Sequence, residues 1–292
     1  MNFTELKIEL NNCNGMNFVA ATQKLQGIIF NLPKSDIIEL ITEIGTIPED
    51  IGHDSTEEKL YTKVSDILLA KTLIELNLEA NVLTQRADCA DVIAQSHYHT
   101  YSLVGDAKAF RLSRTAKNAK DYKVNSMDKW RGDSDYSVLV CPYFQYPKSS
   151  SQIYKEALDG NVALFSWEYL YILLKQGVKE SPSVNLSRLW NQSDIISKTT
   201  TIANSKANFL GSQNSNLAEI LGISTDAFYR YFSQVKDILV QRGFTEIQYY
   251  EDEIERVKKL NREEAISELL KSMKLDSKIA TIKGFINQLN TK

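Results

Sequence analysis

The spacing of apolar residues changes several times along the chain. Residues 17–30 place apolar side chains at helical intervals. Ser35 and Asp36 can cap a following helix over 37–44, which Gly45 ends. Ser55-Thr-Glu-Glu58 is a capping-box pattern ahead of Leu60, Val64, Ile67, Leu68 and Leu73, and predicts an amphipathic helix to about Leu76. Short apolar runs over 91–95, 102–107, 136–141 and 162–166 predict strands. A helical segment over 151–158 joins the last two, and such a right-handed crossover makes them parallel. Residues 199–215 are rich in Ser, Thr and Asn and read as a linker or exposed loop. Beyond 217 the pattern is helical again, for example over 245–259, 262–273 and 277–289. The expectation is an α/β (α+β mixed) protein. A central mixed β-sheet is flanked by helices, with further helical regions at both ends of the sequence. Residues 1–198 form the core with its N-terminal helices, and 199–292 form a C-terminal helical region packed on it.

Composition narrows the class. The 292 residues are 43% apolar and 24% charged, as in globular rather than disordered chains, and suffice for one large or two small domains. No apolar run is long enough for a transmembrane helix, so no membrane association is expected. Met1-Asn-Phe-Thr-Glu-Leu lacks the basic and apolar regions of a secretion signal. Cys13, Cys89 and Cys141 are far apart with no CxxC pair, which argues against a disulfide framework or zinc site and fits a cytoplasmic location.

A net charge of −3 does not suggest a nucleic-acid binder, but the charge distribution does. Between Gly105 and Arg131 lie eight basic residues (Lys108, Arg111, Arg114, Lys117, Lys120, Lys123, Lys129, Arg131) against three acids (Asp106, Asp121, Asp128). That is a focused patch suited to phosphates.

The patch follows directly on Asp106-Ala-Lys108. A bare acid-x-Lys is a weak signal, since Glu5-x-Lys7, Glu57-x-Lys59, Asp121-x-Lys123 and Asp276-x-Lys278 also occur. Position singles out Asp106 and Lys108. They end an apolar run, and strand alternation puts both on one face. Asp91 opens another run 15 residues earlier, so pairing of the two strands brings Asp91 and Asp106 together. This is the layout of a PD-(D/E)xK nuclease. Hard oxygen ligands suit Mg2+, with Mn2+ as a substitute, and Lys108 can orient water and stabilise charge on a phosphate. Asp121 has two readings, as a further acid at the metal or water and as the ion-pair partner of a nearby Lys. Glu58 likewise reads as capping-box partner or as an acid supporting the site. His53, His97 and His99 read as loop residues. No GxSxG, glycine-rich phosphate loop or HExxH appears.

The blocks Ser55-Thr-x-Glu-Lys-Leu60, Asp91-Val-Ile-Ala94, Asp106-Ala-Lys-x-Phe-Arg-Leu-Ser-Arg-Thr-Ala-Lys-Asn-x-Lys-Asp121, Phe144-Gln-Tyr-Pro147, Leu164-Phe-Ser-Trp-Glu168 and Arg262-Glu-Glu-Ala265 carry a resemblance to the HindIII restriction endonuclease family. The resemblance spans most of the chain and is strongest over residues 85–168. It implies a sheet of the PD-(D/E)xK restriction-endonuclease type and a type II homodimer using Mg2+ on double-stranded DNA. It implies cleavage at AAGCTT after the first A, giving 5′-phosphate ends and four-base 5′ overhangs. A cognate DNA methyltransferase is the implied functional partner. It places metal ligands at Asp91 and Asp106, the catalytic lysine at Lys108 and a required acid at Asp121. It places DNA contacts at Arg111, Ser113, Arg114, Lys117, Asn118, Lys120 and Lys123, with Asn118 suited to adenine and Lys120 to guanine. The family has a Glu just before a Gln-Arg pair where this chain has Thr84 before Gln85-Arg86, so no role carries over there. Two other classes remain: a non-cleaving sequence-specific DNA-binding protein, against which the complete Asp91, Asp106 and Lys108 set speaks, and a structure-specific repair or recombination nuclease.

Overall fold

The computed structural model describes residues 1–83, 89–114, 118–199 and 201–290. Among these, the chain begins with helices α1 (Phe3–Asn11), α2 (Phe18–Phe30), α3 (Lys34–Ile41) and α4 (Thr56–Glu75). Ser55 caps α4 by accepting from Glu58 N. Helix α3 starts directly after Pro33, so Ser35 and Asp36 lie in its first turn rather than at its cap. Asn77, in the left-handed region at φ 71°, turns the chain out of α4 into the sheet.

The sheet has strand order β1 (Leu78–Val82), β2 (Val92–Ser96), β3 (Ser102–Ala107), β4 (Tyr136–Cys141) and β5 (Val162–Ser166). The pairs β1–β2 and β2–β3 are antiparallel, while β3–β4 and β4–β5 are parallel. The sheet is therefore mixed, and its last two strands run parallel as their helical crossover requires. Helices α5 (Ala119–Tyr122) and α6 (Val124–Trp130) connect β3 to β4. Helix α7 (Gln152–Asp159) connects β4 to β5, and α8 (Trp167–Lys175) follows β5.

Strand alternation divides the core into two layers. Val138, Val140, Ala163 and Phe165 join Leu25, Leu40 and Tyr61 on one face. Leu139, Cys141, Val162 and Leu164 join Tyr122, Met127 and Ile153 on the other. Strands β4 and β5 are buried almost throughout because helices cover both faces. Gly45 is demanded by packing: a Cβ there would lie 2.7 Å from Pro142 Cγ and 2.8 Å from Trp167 Cδ1.

The stretch expected to be a loop after residue 199 is mostly helical. It holds α11 (Ile202–Ala207) and α12 (Phe209–Leu221), preceded by α9 (Ser187–Trp190) and α10 (Gln192–Thr199). Its polar residues misled the pattern because several are internal hydrogen-bonders. Asn214 is buried, accepts from Tyr169 Oη at 2.7 Å and donates to Tyr143 Oη at 2.8 Å. The first compact unit is Met1–Gly243. The second, Phe244–Lys292, contains the end of α13 (Thr225–Lys258) with α14 (Arg262–Ser272) and α15 (Leu275–Asn290). Asn261 starts α14 with a reciprocal capping box to Glu264. No helix among the described residues is long and apolar enough to cross a membrane.

Glu168, in the first turn of α8, is buried and accepts Tyr143 N at 2.8 Å. Burial raises its carboxyl pKa from the ordinary 4.5 to about 7, against the lowering effect of its hydrogen bonds. An acid raised on folding favours the native state most below its unfolded pKa. That contribution is lost as pH climbs from 4.5 to about 7. Glu168→Gln should remove this slope. Thermal melts from about pH 5 to about pH 7.5 should show the parent losing stability relative to the variant, and parallel curves would refute the assignment.

Candidate active site

Three elements bring acids to one place. Asp106 is the penultimate residue of strand β3 and is 2% exposed. The β2–β3 register pairs Val92 with Gly105, so Asp91, one residue earlier, extends that register to stand beside Asp106. Helix α4 packs tightly over β3, where a Cβ on Gly105 would lie 3.1 Å from Leu69 Cδ2. One turn before Leu69, the buried Asp66 carboxylate accepts Ala107 N at 3.3 Å. One carboxylate oxygen each from Asp66, Asp91 and Asp106 lies within 4.8 Å of the others. Three hard oxygen donors converging on one point fit a divalent cation of the Mg2+, Mn2+ or Ca2+ kind.

Two lysines balance these acids. Lys108 donates to Asp106, and its backbone N–H continues the β3–β4 pairing by reaching Val140 O at 2.7 Å. Lys63, from α4, lies 2.7 Å from Asp91 Oδ1 and 3.7 Å from Asp66 Oδ2. Burial, followed by the charges of Asp91 and Asp106, holds the Asp66 carboxyl well above the usual carboxylate range. Burial also raises Asp106, opposed by the neighbouring Lys108 ammonium. Burial works to lower Lys108, yet the Asp106 carboxylate raises it on balance, so its ammonium stays charged. A bound cation would stabilise the ionised acids and reverse their upward shifts. The cluster lines a cleft of about 460 Å³, whose other wall includes Phe18, Gln23, Lys59 and Thr62.

The remaining expected site residues separate into groups. Arg111 does not lie on the surface. It is 3% exposed, and its guanidinium donates to Glu58 Oε1 at 2.7 Å, Pro48 O at 2.7 Å and Ile51 O at 2.6 Å. Glu58 is thereby taken up by Arg111 and by Asp54 N at 2.7 Å, and does not join the acidic cluster. Ser113 is held by both oxygens of Glu49, through its backbone N–H at 2.9 Å and its hydroxyl at 2.8 Å. Asp121 also lies outside the cluster, accepting Asn118 N at 2.8 Å and pairing with Arg114 at 2.7 Å. Of its two readings, the geometry favours the ion pair, with an arginine rather than a lysine as partner. Asn118, Lys120 and Lys123 are exposed and border one polar depression with Gln152 and Glu156. Lys123 also sits 5.5 Å from the centre of the Trp130 ring. Lys117 and Thr84 lie outside the described residues.

Asp66 and Lys63 were absent from the sequence-based set. A trace of them is present in Val64-Ser-Asp66-Ile-Leu-Leu69, where a carboxylate interrupts an otherwise apolar run. Helical spacing then puts Lys59, Thr62, Lys63 and Asp66 on one stripe. Nothing local tells that stripe apart from a solvated face.

A mixed sheet whose central strand ends in Asp-x-Lys, joined there by two further acids, defines a restriction-endonuclease-like nuclease, a class that generally uses divalent metal. The profile of the HindIII restriction endonuclease family matches residues 5–286. The type II restriction enzyme HindIII of Haemophilus influenzae is 42% identical over 282 residues, covering 97% of this chain and 94% of that protein. The chain belongs to the HindIII restriction endonuclease family and is a site-specific deoxyribonuclease.

The buried Arg111 makes a clear contrast with Arg114, whose side chain is 43% exposed. Arg111→Ala strips Glu58 Oε1 and two carbonyls of their guanidinium donor and should cost about 3–5 kcal/mol in urea unfolding. Arg114→Ala should cost no more than about 1 kcal/mol. Equal, small losses would return Arg111 to the surface role.

Proposed function

We propose that the protein is a type II restriction endonuclease making Mg2+-dependent double-strand breaks at AAGCTT, cut after the first A to leave 5′-phosphate ends and four-base 5′ overhangs. The observation that carries this reading is the convergence of Asp66, Asp91 and Asp106 beside Lys108. Asp91 and Asp106 hold the cation, with Asp66 as a third carboxylate, and Mn2+ can substitute. The cation, when bound, supplies polarisation of the scissile phosphate and a lowered pKa for water. Lys108 orients the attacking water and stabilises the negative charge that grows on the phosphate oxygens. Water adds to phosphorus, the 3′ oxygen leaves, and the phosphate stays on the 5′ side.

The segment following β3 holds the DNA. Arg114, Lys117 and Lys123 supply phosphate contacts, while Asn118 and Lys120 read adenine and guanine edges in the major groove. Asp121 acts as a positioning residue, because its bonds to Arg114 and Asn118 N set the conformation of that reading segment. The Asp91–Asp106–Lys108 site of each chain cuts one strand, so a two-fold homodimer matches the palindrome. A methyltransferase acting on the same site is the functional partner, since unmodified host DNA would otherwise be cut. The protein works in the cytoplasm, where that DNA lies.

Asp106→Asn should lower cleavage by at least about 10³-fold, some 4 kcal/mol of barrier, with the fold and much of the DNA affinity retained. Activity within about tenfold of the parent would refute its role as a ligand. Lys108→Ala should behave similarly. Plasmid digestion with Mg2+, followed by run-off sequencing, tests the target. Cuts confined to A/AGCTT with four-base 5′ overhangs are expected. Cuts at another palindrome would end the specificity assignment. Preference for branched DNA would favour a repair nuclease, and a gel shift without cutting would favour a binding protein.

A further inference from the structure

The acidic cluster contains a cation supplied by the chain itself. Lys63 projects from α4 with a side chain only 14% exposed, and its ammonium has three N–H donors. One contact is to Asp91 Oδ1 at 2.7 Å and another to Leu83 O at 3.2 Å, while Asp66 Oδ2 lies 3.7 Å away. Lys108 attends to Asp106 separately. The two lysines thus differ in what they hold. Lys108 is anchored by strand pairing two residues from its acid, whereas Lys63 reaches across from another element to Asp91. A divalent ion ligated by Asp91 and Asp66 needs the oxygen electrons that Lys63 now uses.

We propose that Lys63 competes with the divalent cation for Asp91 and Asp66, and that a DNA phosphate, by accepting the Lys63 ammonium instead, releases those carboxylates for the metal. Lys63 is then a positioning residue that links metal loading to DNA binding. The inference rests on the metal-dependent reading above. Its physical basis is simple. The ammonium and the cation are alternative counter-ions for the same carboxylates. A phosphate offers the lysine another anionic partner when the cation displaces it. Because coupling between two ligands is reciprocal, DNA tightens the cation and the cation tightens DNA by the same factor. An opposite charge next to a carboxylate commonly lowers its proton affinity by about 10- to 1000-fold, and a competing ammonium should weaken cation binding in the same direction.

The test uses the full-length protein and Ca2+, a hard cation suited to oxygen ligands. Isothermal titration compares the parent with Lys63→Met, which keeps length and removes charge, and with Lys63→Gln, which also keeps a donor for Leu83 O. Lys63→Arg keeps the charge. In the absence of DNA, the Met and Gln variants should bind Ca2+ at least about tenfold more tightly than the parent, and the Arg variant should not. Fluorescence anisotropy with a labelled AAGCTT duplex, in Ca2+ or in EDTA, gives the second readout. The gain in DNA affinity on adding Ca2+ should be smaller for Met and Gln than for the parent, as reciprocity requires. A merely structural lysine would give variants with weaker Ca2+ binding and unchanged coupling. Ca2+ affinity equal to or below the parent's in both neutral variants overturns the proposal. In that case, parental Ca2+ binding abolished by Asp106→Asn still supports the metal site itself. If the parent binds no Ca2+ that Asp106→Asn removes, the metal-dependent reading fails and this inference fails with it.

Discussion

Three carboxylates within 4.8 Å of one another repel, and folding holds them there nonetheless. The backbone supplies the constraint. Asp106 cannot withdraw because β3 is paired on both sides, antiparallel to β2 and parallel to β4. Asp91 is placed by the same β2–β3 register. Asp66 follows from the close approach of α4 over Gly105, where a Cβ would lie 3.1 Å from Leu69 Cδ2. Burial and mutual repulsion raise the pKa of Asp66 and Asp106, while Lys63 and Lys108 offset part of the charge. The cluster therefore depends on sheet and helix packing far more than on local conformation, and it is poised for a strong external cation. Sites of this kind commonly carry local destabilisation that the rest of the fold offsets.

The segment leaving β3 is anchored before it reaches the surface. Phe110 N donates to Gly45 O at 2.9 Å, and Ile47 N donates to Phe110 O at 3.2 Å, forming a short ladder next to the site. Trp167 Nε1 donates to Lys108 O at 3.2 Å. Arg111 then locks onto the 48–58 region through Glu58 and two carbonyls, and Ser113 onto Glu49. Only after these anchors do Arg114, Asn118, Lys120 and Lys123 come into solvent. A run of basic residues that looks uniform in sequence thus has two functions. Arg111 fastens the segment to the core, and the later residues form the exposed charged face. An arginine suits the first task because its planar fork satisfies several acceptors at once.

The strands and most helices were legible in the sequence because each carries its own period and punctuation. Strands β3, β4 and β5 fall on the expected residues, since short, largely apolar runs suit strands covered on both faces. β1 escaped notice. Leu78-Glu-Ala-Asn-Val82 is short, contains weak strand formers and gains its conformation from pairing with β2. Helix α11 and the start of α12 escaped because their polar residues look solvated in sequence, whereas Ser205 and Asn214 are buried and hydrogen-bonded inside the protein. In the site, Asp91, Asp106 and Lys108 were readable because a strand end is a local feature, and strand alternation sets side-chain direction.

By itself the sequence determined the mixed sheet with flanking helices, the Asp-x-Lys at a strand end, the family and the location of the basic segment. These rest on short-range periodicity and on blocks of residues adjacent in the chain. Tertiary structure alone decided that Asp66 joins the cluster, that Lys63 holds Asp91, that Arg111 is buried and that Asp121 pairs with Arg114. Each of these depends on the distance between side chains brought together from separate parts of the chain. Charge and hydrophobicity patterns record which residues are polar. They do not record which polar residues find one another once α4 has packed on the sheet.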